Sequence, residues 1–111
     1  MPATKRASIV VLYNKPADEA EFEKYYADVH VPLVGRHAEE IGFVQAELTK
    51  FDAAPGGGAP AFYRKADLWF DSEEARARGM ATDGFKAVAG DLANFATGGV
   101  TIMLGAETPP R

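Results

Sequence analysis

The chain has 111 residues, 47% of them apolar and 25% charged, with a formal net charge of −4 and no cysteine. One domain is the expectation for this length, and the scattered lysines and arginines form no basic stripe for nucleic acid or for an anionic membrane surface. The lack of thiols excludes a disulfide framework, a thiolate metal site and a cysteine nucleophile, fits a cytoplasmic setting, and goes with the absence of any run near the roughly 18–20 apolar residues of a membrane span.

Residues 7–13, ASIVVLY, are apolar at nearly every position and rich in β-branched side chains. They predict a first strand buried on both faces rather than a signal peptide, because no small-residue cleavage site follows. NKPADEAEF then breaks the strand, and Asp18 with Glu21 three residues later marks a helix N-terminus. From there Phe22, Tyr25, Tyr26, Val29 and Leu33 share one arc at the helical turn angle, with His30 on its flank about 40° beyond Tyr26. Pro32 cannot donate to the Asp28 carbonyl and pushes Val31 away from α geometry. The helix is therefore expected to kink or end near His30, with a shorter piece following through LVGRHAEE.

GFVQAELTKF, 42–51, alternates as a second strand, with Val44, Ala46 and Leu48 on one face and Phe43, Gln45, Glu47, Thr49 and Phe51 on the other. DAAPGGGAP, 52–60, is a Gly/Pro loop. AFYRKADLWF, 61–70, reads as a third strand in an antiparallel hairpin, with Phe62, Ala66, Leu68 and Phe70 on one side and Tyr63 and Trp69 on the other. Asp71, with Glu74, is expected to cap a short helix ending near Gly79. TDGFKAVAGDLANFA, 82–96, restarts a helical pattern with Phe85, Val88, Ala89, Leu92, Phe95 and Ala96 on one face, stopped by Gly98 and Gly99. VTIMLG, 100–105, is a fourth strand, and ETPPR a loose tail. The order β-α-β-β-α-β predicts an α+β, ferredoxin-like sandwich: four antiparallel strands with helices on one face.

Helices cover only one face of such a sheet, yet the first, third and fourth strands are apolar on both. An open apolar sheet is an aggregation hazard, and a second copy across a two-fold axis is the simplest cover. The alternative is a monomer whose outer face is half wet and carries Gln45, Glu47, Lys65 and Asp67.

His30 is the leading candidate for chemistry, since an imidazole can give and take protons near neutral pH without a metal. The alternative is a histidine that only caps the helix. Tyr26, one turn earlier, is within reach of it, whereas Tyr25 reads as packing. Asp91 flanks the apolar face of the last helix and can orient His30, or can be an exposed helix aspartate. Phe95 is a core residue or a pocket wall. Gln45, Glu47 and Asp67 lie on strand faces assigned to a barrel interior, where they can bond a ligand or pair with Lys65. His30 and His37 are seven residues apart, about 10 Å on a helix, too far to share an ion. PGGGAP precedes a strand and no helix, so it fails as a phosphate loop, and no metal or cofactor is expected.

LYNKPADEAEFEKYYADVHVPLV, 12–34, combines Leu-Tyr, a Pro-containing turn, Phe22-x-x-x-Tyr26 and His30-x-Pro32-Leu33. With ADLWFDSEEA, 66–75, and DLANFATGGV, 91–100, it resembles the EthD-like family in order and spacing; the Gly/Ala-rich loop at 55–59 departs from that pattern. The resemblance implies a dimeric α+β barrel and a place in bacterial degradation or tailoring of small organic molecules, the founding member being linked to breakdown of ethyl tert-butyl ether. The wider superfamily includes isomerases, cyclases, cofactor-independent oxygenases and haem-handling enzymes, and fold does not choose among them. The expectation is a cytoplasmic homodimer that binds a small apolar or aromatic ligand. In it His30, supported by Tyr26 and Asp91, serves as acid/base in an isomerisation, cyclisation or lyase step. The alternatives are a non-catalytic ligand-binding or accessory protein of a degradation pathway, and a haem- or oxygen-using monooxygenase.

Overall fold

Strand β1 (Ala7–Tyr13) lies between two partners in the sheet. It pairs antiparallel with β3 (Arg64–Phe70) on one side and β4 (Val100–Ala106) on the other, and β3 carries β2 (Gln45–Lys50) at its far edge, in the order β2-β3-β1-β4. The computed structural model describes residues 5–108. Of the tail expected to be loose, Glu107 is tied to Arg6 by its own N–H and by its carboxylate, and residues 109–111 lie outside the described residues.

Register sorts the sheet into two faces. Ile9 stands opposite Leu68 and Leu104, and Val11 opposite Ala66 and Ile102. With Ala46, Leu48 and Phe70 they form the face the helices cover. Val10, Leu12, Lys65, Asp67, Trp69, Gln45, Glu47 and Met103 form the other, which carries no helix. Tyr63 does not join Trp69 there. The regular strand begins only at Arg64, and Tyr63 sits in the bend before it, its N–H donating to the Tyr13 carbonyl and its ring buried against Phe22.

Helix α1 (Glu19–Tyr25) starts on Asp18, whose carboxylate accepts the Glu21 N–H at 3.0 Å. The chain does not break at Pro32. One π turn (Tyr26–His30) intervenes, closed by a bond from the Val31 N–H to the Tyr26 carbonyl five residues back. Helix α2 (Val31–Arg36) then begins with Pro32 in its first turn, where a missing N–H does no harm. A π turn winds less per residue than an α turn. It swings His30 from the flank to stand over Tyr26, 4% exposed, and turns Val29 out to solvent at 40%.

Helix α3 (Ala38–Ile41) ends at Gly42, whose φ of 89° is the left-handed cap conformation. Helix α4 (Glu73–Met80) is capped by Ser72 rather than Asp71: β3 runs on through Phe70, and the Ser72 hydroxyl accepts the Ala75 N–H at 3.0 Å. A Cβ on Gly79 would sit 2.3 Å from the Ile41 carbonyl oxygen, so only glycine lets α4 close on α3. Helix α5 (Asp83–Asp91) starts on Thr82 and finishes in a 3₁₀ turn, Leu92–Asn94. Among the described residues no helix is long and apolar enough to cross a membrane.

The core has two parts. Ile9, Ile41, Leu68, Phe70 and Val88 form an aliphatic-rich one beneath α3, α4 and α5. Tyr13, Phe22, Tyr26, Tyr63 and Phe95 form an aromatic one beneath α1 and the π turn.

Candidate functional site

The π turn and the C-terminal end of α5 bring His30 and Asp91 together, with His30 Nδ1 2.9 Å from Asp91 Oδ2. The second carboxylate oxygen accepts the Tyr25 hydroxyl at 2.6 Å and the Asn94 amide at 2.9 Å. Burial works to raise the Asp91 carboxyl, but the hydrogen bonds from Tyr25, Asn94 and His30 outweigh it and hold the group below its ordinary value. An ionised carboxylate only accepts, so Nδ1 carries the proton and Nε2 is the nitrogen left for chemistry. The imidazole is clamped between rings: Phe95 lies 4.6 Å away centre to centre, and Tyr26 is stacked at 5.9 Å.

Among the described residues nothing hydrogen bonds to Nε2, and the ring faces a cavity of about 230 Å³ between the sheet and the helices. Its walls are apolar, with Ile9, Val11, Ala66 and Leu68 from the sheet and Val34, Phe43, Phe85, Val88 and Leu92 from the helical side. Leu48 and Ile102, half-exposed, line it toward the two sheet edges. Besides His30, the only lining side chains with polar atoms among the described residues are Tyr13 and Tyr26. Burial pushes both phenols up: Tyr26 to about 12, despite the Arg64 guanidinium 4.8 Å from its ring centre, and Tyr13 higher still.

The structure thus gathers His30, Tyr26, Asp91 and Phe95 in one place. It does not bring Gln45, Glu47 or Asp67 to them. Those three sit on the helix-free face, where Gln45 accepts from Arg6, Glu47 from the Trp69 indole, and Asp67 pairs with Lys65 at 3.1 Å. Strand alternation separates the faces but does not say which one borders a cavity, and the small residues Ala46 and Ala66 prove to be the ones that make room. Three residues were missed. Tyr25, read as packing, stacks on Phe95 and also bonds Asp91. It precedes His30 by five residues, a spacing that faces the same way only across a π turn. Asn94 follows Asp91 by three, a helical-pair spacing visible in DLAN. Tyr13 shares the alternation of Ile9 and Val11 and is legible as the end of a core-facing row. Among the described residues no group of three or more His, Asp or Glu side chains is placed to hold a metal.

Residues 14–99 match the EthD domain. The chain belongs to the EthD family. The matched span of this EthD protein holds Tyr25, Tyr26, His30, Asp91, Asn94 and Phe95, while Tyr13 lies one residue ahead of it. The chain is 35% identical over 95 residues to an uncharacterised 11.0 kDa protein of the thcB–thcC intergenic region of Rhodococcus erythropolis, covering 86% of this chain and 88% of that one. The crystal structure of an EthD family protein from Bacillus halodurans c-125 matches with a TM-score of 0.83 at 28% identity, over 93% of this chain and 99% of that one. A protein of unknown function from Bacteroides fragilis NCTC 9343, described as dimeric with a ferredoxin-like fold, matches with a TM-score of 0.65 at 12% identity, over 92% and 96% of the two chains. At that identity the likeness is one of fold.

Proposed function

We propose that this EthD protein is a cytoplasmic enzyme for small organic compounds, in their catabolism or tailoring, with His30 as general acid/base in an isomerisation, cyclisation or lyase step that needs no cofactor. The observation that carries this reading is the asymmetry of the imidazole. Nδ1 is tied to a buried carboxylate, and Nε2 is unpartnered against an apolar cavity. Asp91 fixes the tautomer, and Tyr26 and Phe95 fix the ring plane. At about 230 Å³ the cavity is smaller than the roughly 300–1,000 Å³ of drug-sized pockets. That suits one or two fused rings and counts against a haem with His30 as axial ligand.

The experiment compares wild type with His30→Ala on a panel of small aromatic and alicyclic compounds, following substrate loss by mass spectrometry. Wild type should consume at least one, and the variant should be slower by about 10²–10⁴-fold, the usual worth of a positioned acid/base, with its fold retained by circular dichroism. Equal turnover in the two proteins would contradict the reading. Consumption by neither, with ligand affinity indifferent to the substitution, would favour a binding or accessory protein.

We also propose that a second copy covers the helix-free face, making a homodimer. Val10, Leu12, Trp69 and Met103 lie there, Met103 48% exposed, and the Bacteroides fragilis neighbour is described as dimeric. Sedimentation equilibrium should show a dimer that Met103→Glu splits; a wild-type monomer at every concentration would contradict it.

A further inference from the structure

Tyr13 and Tyr26 are 1% and 4% exposed, and neither hydroxyl has a hydrogen-bond partner among the described residues. Yet among the described residues no side-chain nitrogen or oxygen that is wholly enclosed lacks a partner. The sliver of surface each tyrosine keeps therefore includes its hydroxyl, and both residues line the cavity that His30 faces. They are contiguous with the dyad: the Tyr13 and Tyr26 rings meet edge-on at 5.8 Å, Tyr26 stacks on His30, and Phe95, packed on His30, also touches the Tyr13 ring. Burying a phenol without a partner is unfavourable, and phenylalanine would fill either space without that penalty. Two such hydroxyls beside one free imidazole nitrogen are explained by a ligand that brings the acceptor. The tyrosines also remain protonated well above neutral pH, so they can only enter as neutral donors when they act on an acceptor oxygen.

We propose that Tyr13 and Tyr26 donate hydrogen bonds to the oxygen of an uncharged, apolar carbonyl compound while His30 Nε2 removes a proton from its α-carbon. The proposal rests on the acid/base reading of His30. In the step the C–H electron pair becomes the C=C bond of an enolate, the carbonyl π pair moves onto oxygen, and the proton resides on Nε2. Return of that proton to carbon, at the same or a conjugated position, regenerates the imidazole with nothing oxidised or reduced. Developing charge on oxygen is where fixed donors in a dry site act most strongly. The class is set by what lines the cavity. Among the described residues no Lys or Arg does, and Arg64, which lies over the Tyr26 ring, is held by both Glu23 oxygens at 3.0 and 2.7 Å. A carboxylate or phosphate substrate would have no counter-charge, whereas a neutral ketone of one or two rings meets two donors and a base.

The test follows deuterium exchange at the α-carbon of 2-tetralone in D₂O by proton NMR, together with binding of 2-naphthol, an enol mimic, and of naphthalene, which lacks the oxygen. Wild type should accelerate exchange over buffer, and His30→Ala should abolish it. Tyr13→Phe and Tyr26→Phe should each slow it by about 10²-fold or more, in the range for loss of one oxyanion donor. Both should also weaken 2-naphthol but leave naphthalene binding unchanged. Wild-type exchange rates in both Tyr→Phe variants, with exchange still lost in His30→Ala, would overturn the donor pair and spare the base. No exchange by wild type, with no preference for 2-naphthol over naphthalene, would overturn the carbonyl class even where His30 supports turnover of another compound. Should Tyr13→Phe fail to fold, Tyr26→Phe decides by the same criteria.

Discussion

Beneath α3, α4 and α5 the core is built from Ile9, Ile41, Leu68, Phe70 and Val88; beneath α1 and the π turn it is built from Tyr13, Phe22, Tyr26, Tyr63 and Phe95. Strand β1 feeds both, Ile9 entering the first and Tyr13 the second. The aliphatic part has no polar atom in its buried side chains to satisfy; it closes on a glycine where α4 meets α3, while Ile9, Leu68 and Val88 also wall the cavity. The aromatic part uses rings packed edge-on, tilted or stacked at 5.2–5.9 Å as rigid mounts for polar tips. One of these tips, the Tyr63 hydroxyl, is anchored on Glu23, while those of Tyr13 and Tyr26, residues that line the cavity, have no hydrogen-bond partner among the described residues. One half of the core supplies apolar wall to the cavity, and the other sets polar groups beside it.

That contrast can be broken most severely at Phe70, which is wholly buried in the aliphatic part. Phe70→Ala should lower the unfolding free energy by about 3–5 kcal/mol, read by urea denaturation, and should leave the His30 ring environment unchanged in NMR spectra. A loss near zero would mean the aliphatic half is not the stabilising one.

A smaller effect is expected at Asp91. Asp91→Asn should cost about 1.5–3 kcal/mol at neutral pH, the worth of hydrogen bonds to a charged group, and should flatten the acid limb of stability. The Asp91 carboxyl lies below its ordinary value in the fold. Its contribution is therefore present above the unfolded value of about 3.9 and is lost as pH falls below it toward the folded value. Wild type should lose stability through that window more steeply than the variant, in unfolding curves at a series of pH values; parallel curves would show that the carboxylate is not specially stabilised.

The smallest change sharpens the comparison. Tyr13→Phe removes an unpartnered hydroxyl and should shift stability by less than about 1 kcal/mol, toward greater stability. Marked destabilisation by calorimetry would mean the hydroxyl has a structural partner.

Much of the scaffold was legible before the fold. The unbroken apolar run of β1 marks an interior strand, Asp18 marks the start of α1, and the row Phe85, Val88, Ala89, Leu92 marks the buried side of α5. What escaped was the π turn. A fixed turn angle puts Val29 inside and His30 on the flank, and one wide turn reverses them while carrying the chain past Pro32. The same turn hides Tyr25 as a partner of Asp91. His30 and Asp91 could be named as candidates from their places at two helix ends, but their meeting depends on how α5 lies against the π turn, which no local pattern encodes. Gln45, Glu47 and Asp67 do lie on the helix-free face, where alternation sets them, so they stand across the sheet from the cavity beside His30.

The claim on which the rest depends is that Asp91 holds the His30 proton on Nδ1 and leaves Nε2 to the cavity. Nitrogen-15 NMR of the His30 ring across a pH titration tests it directly. Nδ1 should stay protonated throughout while Nε2 is the nitrogen that gains and loses its proton, and Asp91→Asn should disturb that preference. A neutral ring protonated at Nε2, with Nδ1 bare, would contradict it.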